Sequence, residues 1–585
     1  MRTIRPARRL TAALIAMVLL LTLGVPMSFA ESASPKDGTL KIMTMSDTHM
    51  IMESMIRGTE DYRHAIDRDQ KVFNESEAVV DAQLAQVRNA APDVLILCGD
   101  LTKDGEYKGH QALAKKLRAL KKAVPGLKIY LINGNHDINN SDAKEFNTAD
   151  GKAVPAKKTT PQDFRKIYDD ITWQDKSVKE TYGLSYMARP AKGFTVIAID
   201  SNCYTADTNS DGLNEHETRG AIPADVLNWA ARKAKVARKR GDTVLGIMHH
   251  GVVAHFTQEP TIMGDFLVDD FKRVSSKLAD AGMHYVFTGH FHAQDVSVMR
   301  TEAGNTLYDI ETGSSITYPC PMRALMVIRE QAGKADTDNT VKETVKGLTI
   351  QDLSISHRDP QTGAWKDIPD MTAYSMDKGL NPTVIVTILK EALGETLGNY
   401  PDALDTAIDK LLPDLLNMPV TEDGKHSLME TVNYAHKRHL AGLDHGNDPV
   451  WFREAQKNVE NGKFLAALTD TLCKDLAVLT GQGVGKLTKT DLVDGPAVDA
   501  LYHGLFGAAH VSYYTAPQIA ADLNEFLAKT LDSLAHDKSF QQDRDFTITG
   551  ANVVRPGQAD WSSVDHGIPE TNVTNRLIGA LLGNG

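Results

Sequence analysis

The chain has 585 residues, 42% apolar and 24% charged, with no low-complexity tract and no repeat at a fixed period. That composition is globular, and the length exceeds what one core fills, so two folded units are expected. Its 76 Asp and Glu outnumber 64 Lys and Arg, a formal charge of −12, which argues against a scaffold that grips nucleic acid through a basic face.

Residues 1–30 begin with Arg2, Arg5, Arg8 and Arg9, run apolar over 10–25 and finish in Ser28-Phe29-Ala30. A basic start, an apolar middle and small residues at the two positions a signal peptidase reads predict a secretory signal cleaved after Ala30. The mature protein is then expected outside the cell or at the exterior of its envelope. An uncleaved anchor is the competing reading, against which the run is short for a span of about 20 residues. With no Cys near the cleavage point, a lipoprotein is not expected. Losing four Arg and no acid leaves 60 basic and 76 acidic side chains, a net charge of −16. No nucleic-acid partner is expected; a small phosphate ester stays compatible, because local metal charge dominates a site.

From residue 39 to about 330, short apolar runs alternate with amphipathic stretches. The runs are 40–45, 94–98, 129–132, 195–199, 244–248, 285–288 and 307–310, rich in Val, Ile, Leu and Tyr, and read as buried strands. The stretches 75–88, 110–123, 223–240 and 266–281 carry helical spacing, so an α/β layered domain is expected over 31–365. The polar, β-like segment 330–370 reads as edge strands or a connector. Helical spacing returns at 383–397, 402–416, 428–440, 464–479 and 519–534, predicting a mostly helical domain over 366–585 whose last forty residues are polar and hard to place.

Polar residues collect directly after the strands. Five motifs occur in order: Asp47-Thr48-His49, Gly99-Asp100, Gly134-Asn135-His136-Asp137, His249-His250 and Gly289-His290-Phe291-His292. Ligands in open α/β sheets gather at the carboxyl ends of strands, so one cluster of loops can unite them. Carboxylate, imidazole and amide oxygen form a donor set for borderline divalent ions. Two metals need a shared anionic ligand to sit about 3.5–4 Å apart, and a lone Asp100 after a strand suits that place. In an extended segment Asp-x-His and His-x-His point both side chains one way. Gly99, Gly134 and Gly289 are expected to permit tight turns there.

The five motifs, in this order and each after a strand, resemble the calcineurin-like metallophosphoesterase superfamily over residues 39 to about 320. The resemblance implies a four-layer α/β/β/α sandwich with the site at one edge. It implies that Asp47, His49 and His292 hold one ion, that Asn135, His249 and His290 hold the other, and that Asp100 bridges. His136 then stands near the leaving group as acid or charge stabiliser, with Asp137 or another carboxylate orienting it. Two divalent ions (Mn, Fe or Zn) activate water for attack on phosphorus. The purple acid phosphatase branch has a Tyr three residues after the bridging Asp; here Lys103 stands there, so a ferric tyrosinate is not expected. The segment from 426 to 446 resembles the helical extension of an exported branch of the superfamily.

Several features compete for attention. His249, directly after its strand, is preferred over His250; His255 and His284 read as structural. The insertion 58–77 is charged and either covers the site edge or is a solvated surface element. Cys98 reads as a buried apolar residue, and a Cys203–Cys320 bridge is possible in an oxidising compartment. The C-terminal histidines His426, His436, His439, His445, His503 and His510 lack paired-ligand spacing. The stretch 481–486 lacks the spacing of a phosphate loop, and 207–212 matches half a calcium loop but has Thr218 at its twelfth position. The expected function is metal-dependent hydrolysis of a phosphomonoester or phosphodiester, with a small phosphate ester as partner. A non-catalytic metal-bearing binding protein and a nuclease of the same superfamily are the alternatives. The intact His136 speaks against the first and the acidic balance against the second.

Overall fold

A computed structural model describes residues 38–67, 69–205, 215–331, 341–378, 413–414, 416–443, 448–463, 466–470, 492–493, 514–536 and 543–549. The leader, the half calcium loop at 207–212, the segment 481–486, Cys473, and most of the helices expected at 383–397, 402–416 and 464–479 lie outside the described residues.

Two sheets face each other. The first runs, in spatial order, Phe546–Thr549, Val341–Ile350, Met322–Gln331, Thr39–Met45, Val94–Leu97 and Lys128–Leu131. Its last three members are parallel, with Met45 beside Leu97 and Leu97 beside Leu131. The second runs Val296–Arg300, Thr306–Glu311, Tyr285–Thr288, Thr243–Ile247, Phe194–Ala198, Ser185–Ala188 and Val178–Tyr182. All seven apolar runs of the sequence are strands.

Alternation along the strands sets the layers. Phe194, Val196, Ala198, Leu245, Ile247, Tyr285 and Phe287 join the core between the sheets. Their neighbours Ile197, Ile199, Val244 and Val286 point the other way, onto Leu227, Ala230 and Ala234 of the helix Ala224–Lys239 and onto Val274 and Leu278 of the helix Phe271–Asp280. The first sheet is covered by the helices Ser76–Ala90 and Tyr107–Ala123. In the second of these, His110, Leu113, Ala114, Leu117 and Leu120 form one buried stripe while Lys115, Arg118 and Lys122 stay outside it, the spacing of an amphipathic helix. Helix, sheet, sheet, helix is the expected four-layer sandwich, and a region with several helices follows it.

Two later segments return to this body. Phe546–Thr549 pairs antiparallel with Val341–Ile350, placing Val345 beside Ile548. The buried Arg323 donates to the carbonyl of Asp543 at 2.5 Å and to that of Asp295 at 3.0 Å. The helix Leu428–Leu440 starts at Ser427, whose hydroxyl accepts from the amide of Glu430, an N-cap interaction. Its carboxyl end docks near the metal-ligand motifs: the Leu440 carbonyl accepts from the amide of Gln294 at 3.1 Å. Cys203 and Cys320 are both free, which corrects the possible bridge: Cys203 lies on the short strand Asn202–Thr205, and Cys320 is buried with Ile316, Leu353 and Ile368. Among the described residues no helix is long and apolar enough to cross a membrane.

Candidate metal centre

The parallel strands of both sheets end on one side, and the loops leaving them are laced together. Asp47 and His49 donate backbone amides to the carbonyls of Gly99 and Asp100 at 3.1 and 2.9 Å. The amide of His290 reaches Asp47 Oδ2 at 3.1 Å, and the amide of His136 reaches Asp100 Oδ1 at 2.9 Å. Nine non-glycine residues carry positive φ among the described residues, and Asp47, His49, Asp100, His290 and His292 are five of them. Backbone held in so sparsely populated a region collects where a functional arrangement requires it.

The glycines serve in two ways. Gly99 has φ +98°, as a tight turn requires, whereas Gly134 and Gly289 are needed for close approach. A Cβ on Gly134 would lie 2.1 Å from Asp100 Oδ1, and one on Gly289 would lie 1.9 Å from Ser46 Oγ. The tight turn expected at all three glycines is found at Gly99; at Gly134 and Gly289 lack of bulk is the reason.

The side chains converge into three overlapping groups whose ligand atoms lie within 4.8 Å of one another: Asp47, His49 and His292; His49, Asp100 and His136; Asp100, His249 and His290. His49 Nε2 is 3.3 Å from His292 Nε2, and His292 Nε2 is 3.2 Å from Asp47 Oδ1. Asp100 Oδ2 stands between the outer groups, 3.6 Å from His49 Nε2 and 3.4 Å from His249 Nε2. Asn135 Oδ1 is 3.0 Å from His249 Nε2. All seven residues singled out as ligands are therefore brought together. His250 is turned away, its ring nitrogens engaged by Ser201 Oγ at 2.8 Å and the Thr218 carbonyl at 2.9 Å.

The donor set fits cations. Among the described residues, Asp47 and Asp100 pair with histidines alone, at zero or near-zero exposure. Burial drives the pKa values of His49 and His290 well below the ordinary value and lowers that of His292, leaving imidazoles with lone pairs to offer. At His249 burial again opposes charge, but Asp100 prevails and lifts the pKa to about 9; a cation answers the same pull. The partners behind the ligands fix ring orientation: His249 Nδ1 donates to the Cys98 carbonyl at 2.8 Å, and His292 Nδ1 meets Thr317 Oγ1 at 3.3 Å.

His136 lies at the margin, its ring 4.9 Å from that of His49. Its orienting carboxylate is Asp104, with Oδ1 3.2 Å from His136 Nδ1. Of the two readings left open, Asp137 or another carboxylate, the geometry favours the second; the Asp137 carboxylate accepts the amides of Leu101 and Thr102 on Oδ1 and that of Gly134 on Oδ2, and so braces two ligand loops. Burial disfavours the imidazolium of His136, but Asp100 and Asp104 outweigh it and raise the pKa. Asp104 was missed because one acid in a loop carries no pattern; its signal was its place four residues after Asp100. A second network backs the His292 loop. His255 Nδ1 is 2.8 Å from Asp295 Oδ2, and Glu311 Oε1 accepts the Ala293 amide at 3.0 Å.

A two-sheet α/β sandwich that buries a His and Asp centre at its strand ends defines a metallohydrolase. Residues 40–294, somewhat under half of the chain, match the family model described as calcineurin-like phosphoesterase, and the protein is a hydrolase of phosphate esters. The human serine/threonine-protein phosphatase CPPED1 is 22% identical over 306 residues, 51% of this chain and 76% of the relative. Among solved structures, a dimetal phosphatase of Danio rerio aligns with TM-score 0.34 and 14% identity, covering 54% of this chain and 99% of that one. A purple acid phosphatase of yellow lupin aligns with TM-score 0.28 and 12% identity, covering 57% and 54%.

Proposed function

We propose that the chain hydrolyses small phosphate esters with two divalent ions, manganese, zinc or ferrous iron. Asp47, His49 and His292 hold one ion; Asn135, His249 and His290 hold the other; Asp100 is shared. The observation that carries this reading is the position of Asp100 Oδ2, 3.6 and 3.4 Å from an imidazole nitrogen of each set. When bound, the ions supply an activated water and neutralise phosphoryl charge. His136, kept protonated by Asp104, gives its proton to the departing alkoxide as general acid. The loops exclude solvent: Asp47, His49 and His249 are wholly buried and Asp100 is 1% exposed. The mature protein acts outside the cytoplasm, a reading that rests on the leader over 1–30.

Purified protein, stripped of metal and reloaded with each ion, is to be assayed on p-nitrophenyl phosphate, bis(p-nitrophenyl) phosphate, cyclic AMP, nucleotides and a phosphoserine peptide. The peptide is included because the human relative is named a serine/threonine-protein phosphatase. Metal-dependent turnover of at least one ester is expected; two bound ions without any turnover would leave the non-catalytic metal-bearing reading standing.

A further inference from the structure

The strand Thr306–Glu311 contributes none of the seven ligands, yet its buried Asp309 grips the two loops that carry His249 and His290. The strand runs parallel to Tyr285–Thr288, with Val286 beside Asp309, and Tyr285–Thr288 runs parallel to Thr243–Ile247. Asp309 Oδ2 accepts the amides of Val252 at 2.6 Å and Val253 at 3.1 Å, on the loop that leaves His249. Asp309 Oδ1 accepts the hydroxyl of Thr288 at 2.5 Å, just before Gly289 and His290. The Gly289 amide donates to the His249 carbonyl at 3.0 Å, so the two loops are also tied to each other. The Gly251 amide donates to the Phe266 carbonyl at 3.0 Å, and the Phe266 ring lies 4.6 Å from that of His290. A carboxylate without exposed surface needs such partners to carry its charge, and hydrogen bonds to an ionised acceptor are stronger than those to a neutral one. His255 completes the surroundings, with Nε2 3.6 Å from Asp309 Oδ2 and Nδ1 2.8 Å from Asp295 Oδ2. The loops of Asp47 and His292 are held by other groups: Ser314 Oγ donates to the Asp47 carbonyl at 2.8 Å, and Glu311 Oε1 accepts the Ala293 amide.

We propose that Asp309 is a positioning residue for one ion of the pair, the ion assigned to Asn135, His249 and His290. The proposal rests on the two-ion reading above. The rings of His249 and His290 lie 4.6 Å apart, and a single carboxylate bonded to both of their loops fixes that separation before any ion arrives. Without it the two loops lose their common anchor, and binding must order them. Groups that orient metal ligands from behind are worth about 10- to 100-fold in metal affinity. The ion of Asp47, His49 and His292, whose loops have their own supports, should feel little of the change.

The test uses the full chain, stripped of metal and titrated with manganese, the free ion being read by electron paramagnetic resonance. The wild type should bind two ions. In Asp309→Ala one ion should bind as in the wild type and the other about 10- to 100-fold more weakly. Asp309→Asn should recover most of that affinity, because its side-chain oxygen still accepts both amides while its NH2 group donates to Thr288 Oγ1. Should Asp309→Ala fold poorly, seen as a lowered Tm, Thr288→Val removes one of the three bonds at nearly constant volume and should weaken the same ion by a smaller factor. Adding either change to His249→Ala should leave manganese binding as it is in His249→Ala alone, since the ligand set of that ion is already broken. A further loss there, equal weakening of both ions, or no weakening in either variant would overturn the proposal while leaving the hydrolase reading intact. A wild type that binds fewer than two ions would overturn the two-ion reading, and this proposal with it.

Discussion

Replacing Asp104 with Asn removes one charge and little volume. The amide oxygen still reaches Lys103, whose charge also feels Glu106, so the loop should hold its shape. What is lost is the ionic partner of His136 Nδ1 at 3.2 Å. A hydrogen bond to a charged group is worth about 1.5–3 kcal/mol, which corresponds to about 10- to 150-fold in rate if it is felt wholly in the transition state. His136→Ala, which deletes the acid, should cost about 10²–10⁴-fold, and the Asn variant should lose no more than that. Both losses should appear with an alkyl phosphate, whose leaving group needs a proton, and shrink with p-nitrophenyl phosphate, whose leaving group does not. The pH profile gives a second readout. Asp104 helps raise the His136 pKa, so without it the protonated acid is lost at lower pH and the alkaline limb of kcat shifts downward. Initial rates on both esters across pH, with metal content measured on each preparation, decide the matter. Equal losses on good and poor leaving groups, or an unmoved alkaline limb, would refute the acid role and leave charge stabilisation.

Asp100→Ala should abolish activity and lose both ions, as it removes the one carboxylate among the described residues that faces both histidine sets; two ions retained on metal analysis would contradict the shared-ligand assignment. The protein should lack a ferric-tyrosinate colour when purified without added iron: Lys103 is paired with Asp104, Tyr204 takes a hydrogen bond from Asn133, and Tyr107 lies 3.4 Å beneath the Lys157 ammonium. A strong visible band would show that a tyrosine reaches the centre. His284, far from the centre, has its pKa lowered by burial to about 4. Its unfolded form gains a proton below about pH 6.5, so its stabilising contribution is complete above that pH and falls away toward pH 4, amounting to about 3 kcal/mol. His284→Gln should flatten the acid limb of stability in urea titrations between pH 6.5 and 4.5, and an unchanged slope would show that His284 is charged in the folded protein.

The apolar runs were legible because a strand buried on both faces leaves a continuous Val, Ile and Leu signature, and the ligand motifs because each follows such a run. The helix Leu428–Leu440 and the stretch within Ala516–Ala535 were legible through their 3.6-residue period. Asp104 was not marked, since its importance is positional: it is an ordinary charged residue until the fold sets it beside His136. Strand Phe546–Thr549 escaped notice because four residues, with only Phe546 and Ile548 buried, are too few to stand out in a polar stretch.

That strand carries a consequence for how the molecule is made. The register of Val345 with Ile548 spans two hundred residues of sequence, and such distant pairings form slowly because a long loop must close before they contribute. Synthesis delivers every metal-site residue long before residue 546. Until then the strand Val341–Ile350 is an open template, with ladder groups available to any other chain. Phe546–Thr549 therefore works as a late-arriving guard on the hydrolase sheet. A ribosome paused between residues 350 and 546 would expose an assembled strand edge without its cover, the state in which this protein is most prone to pair with a neighbour.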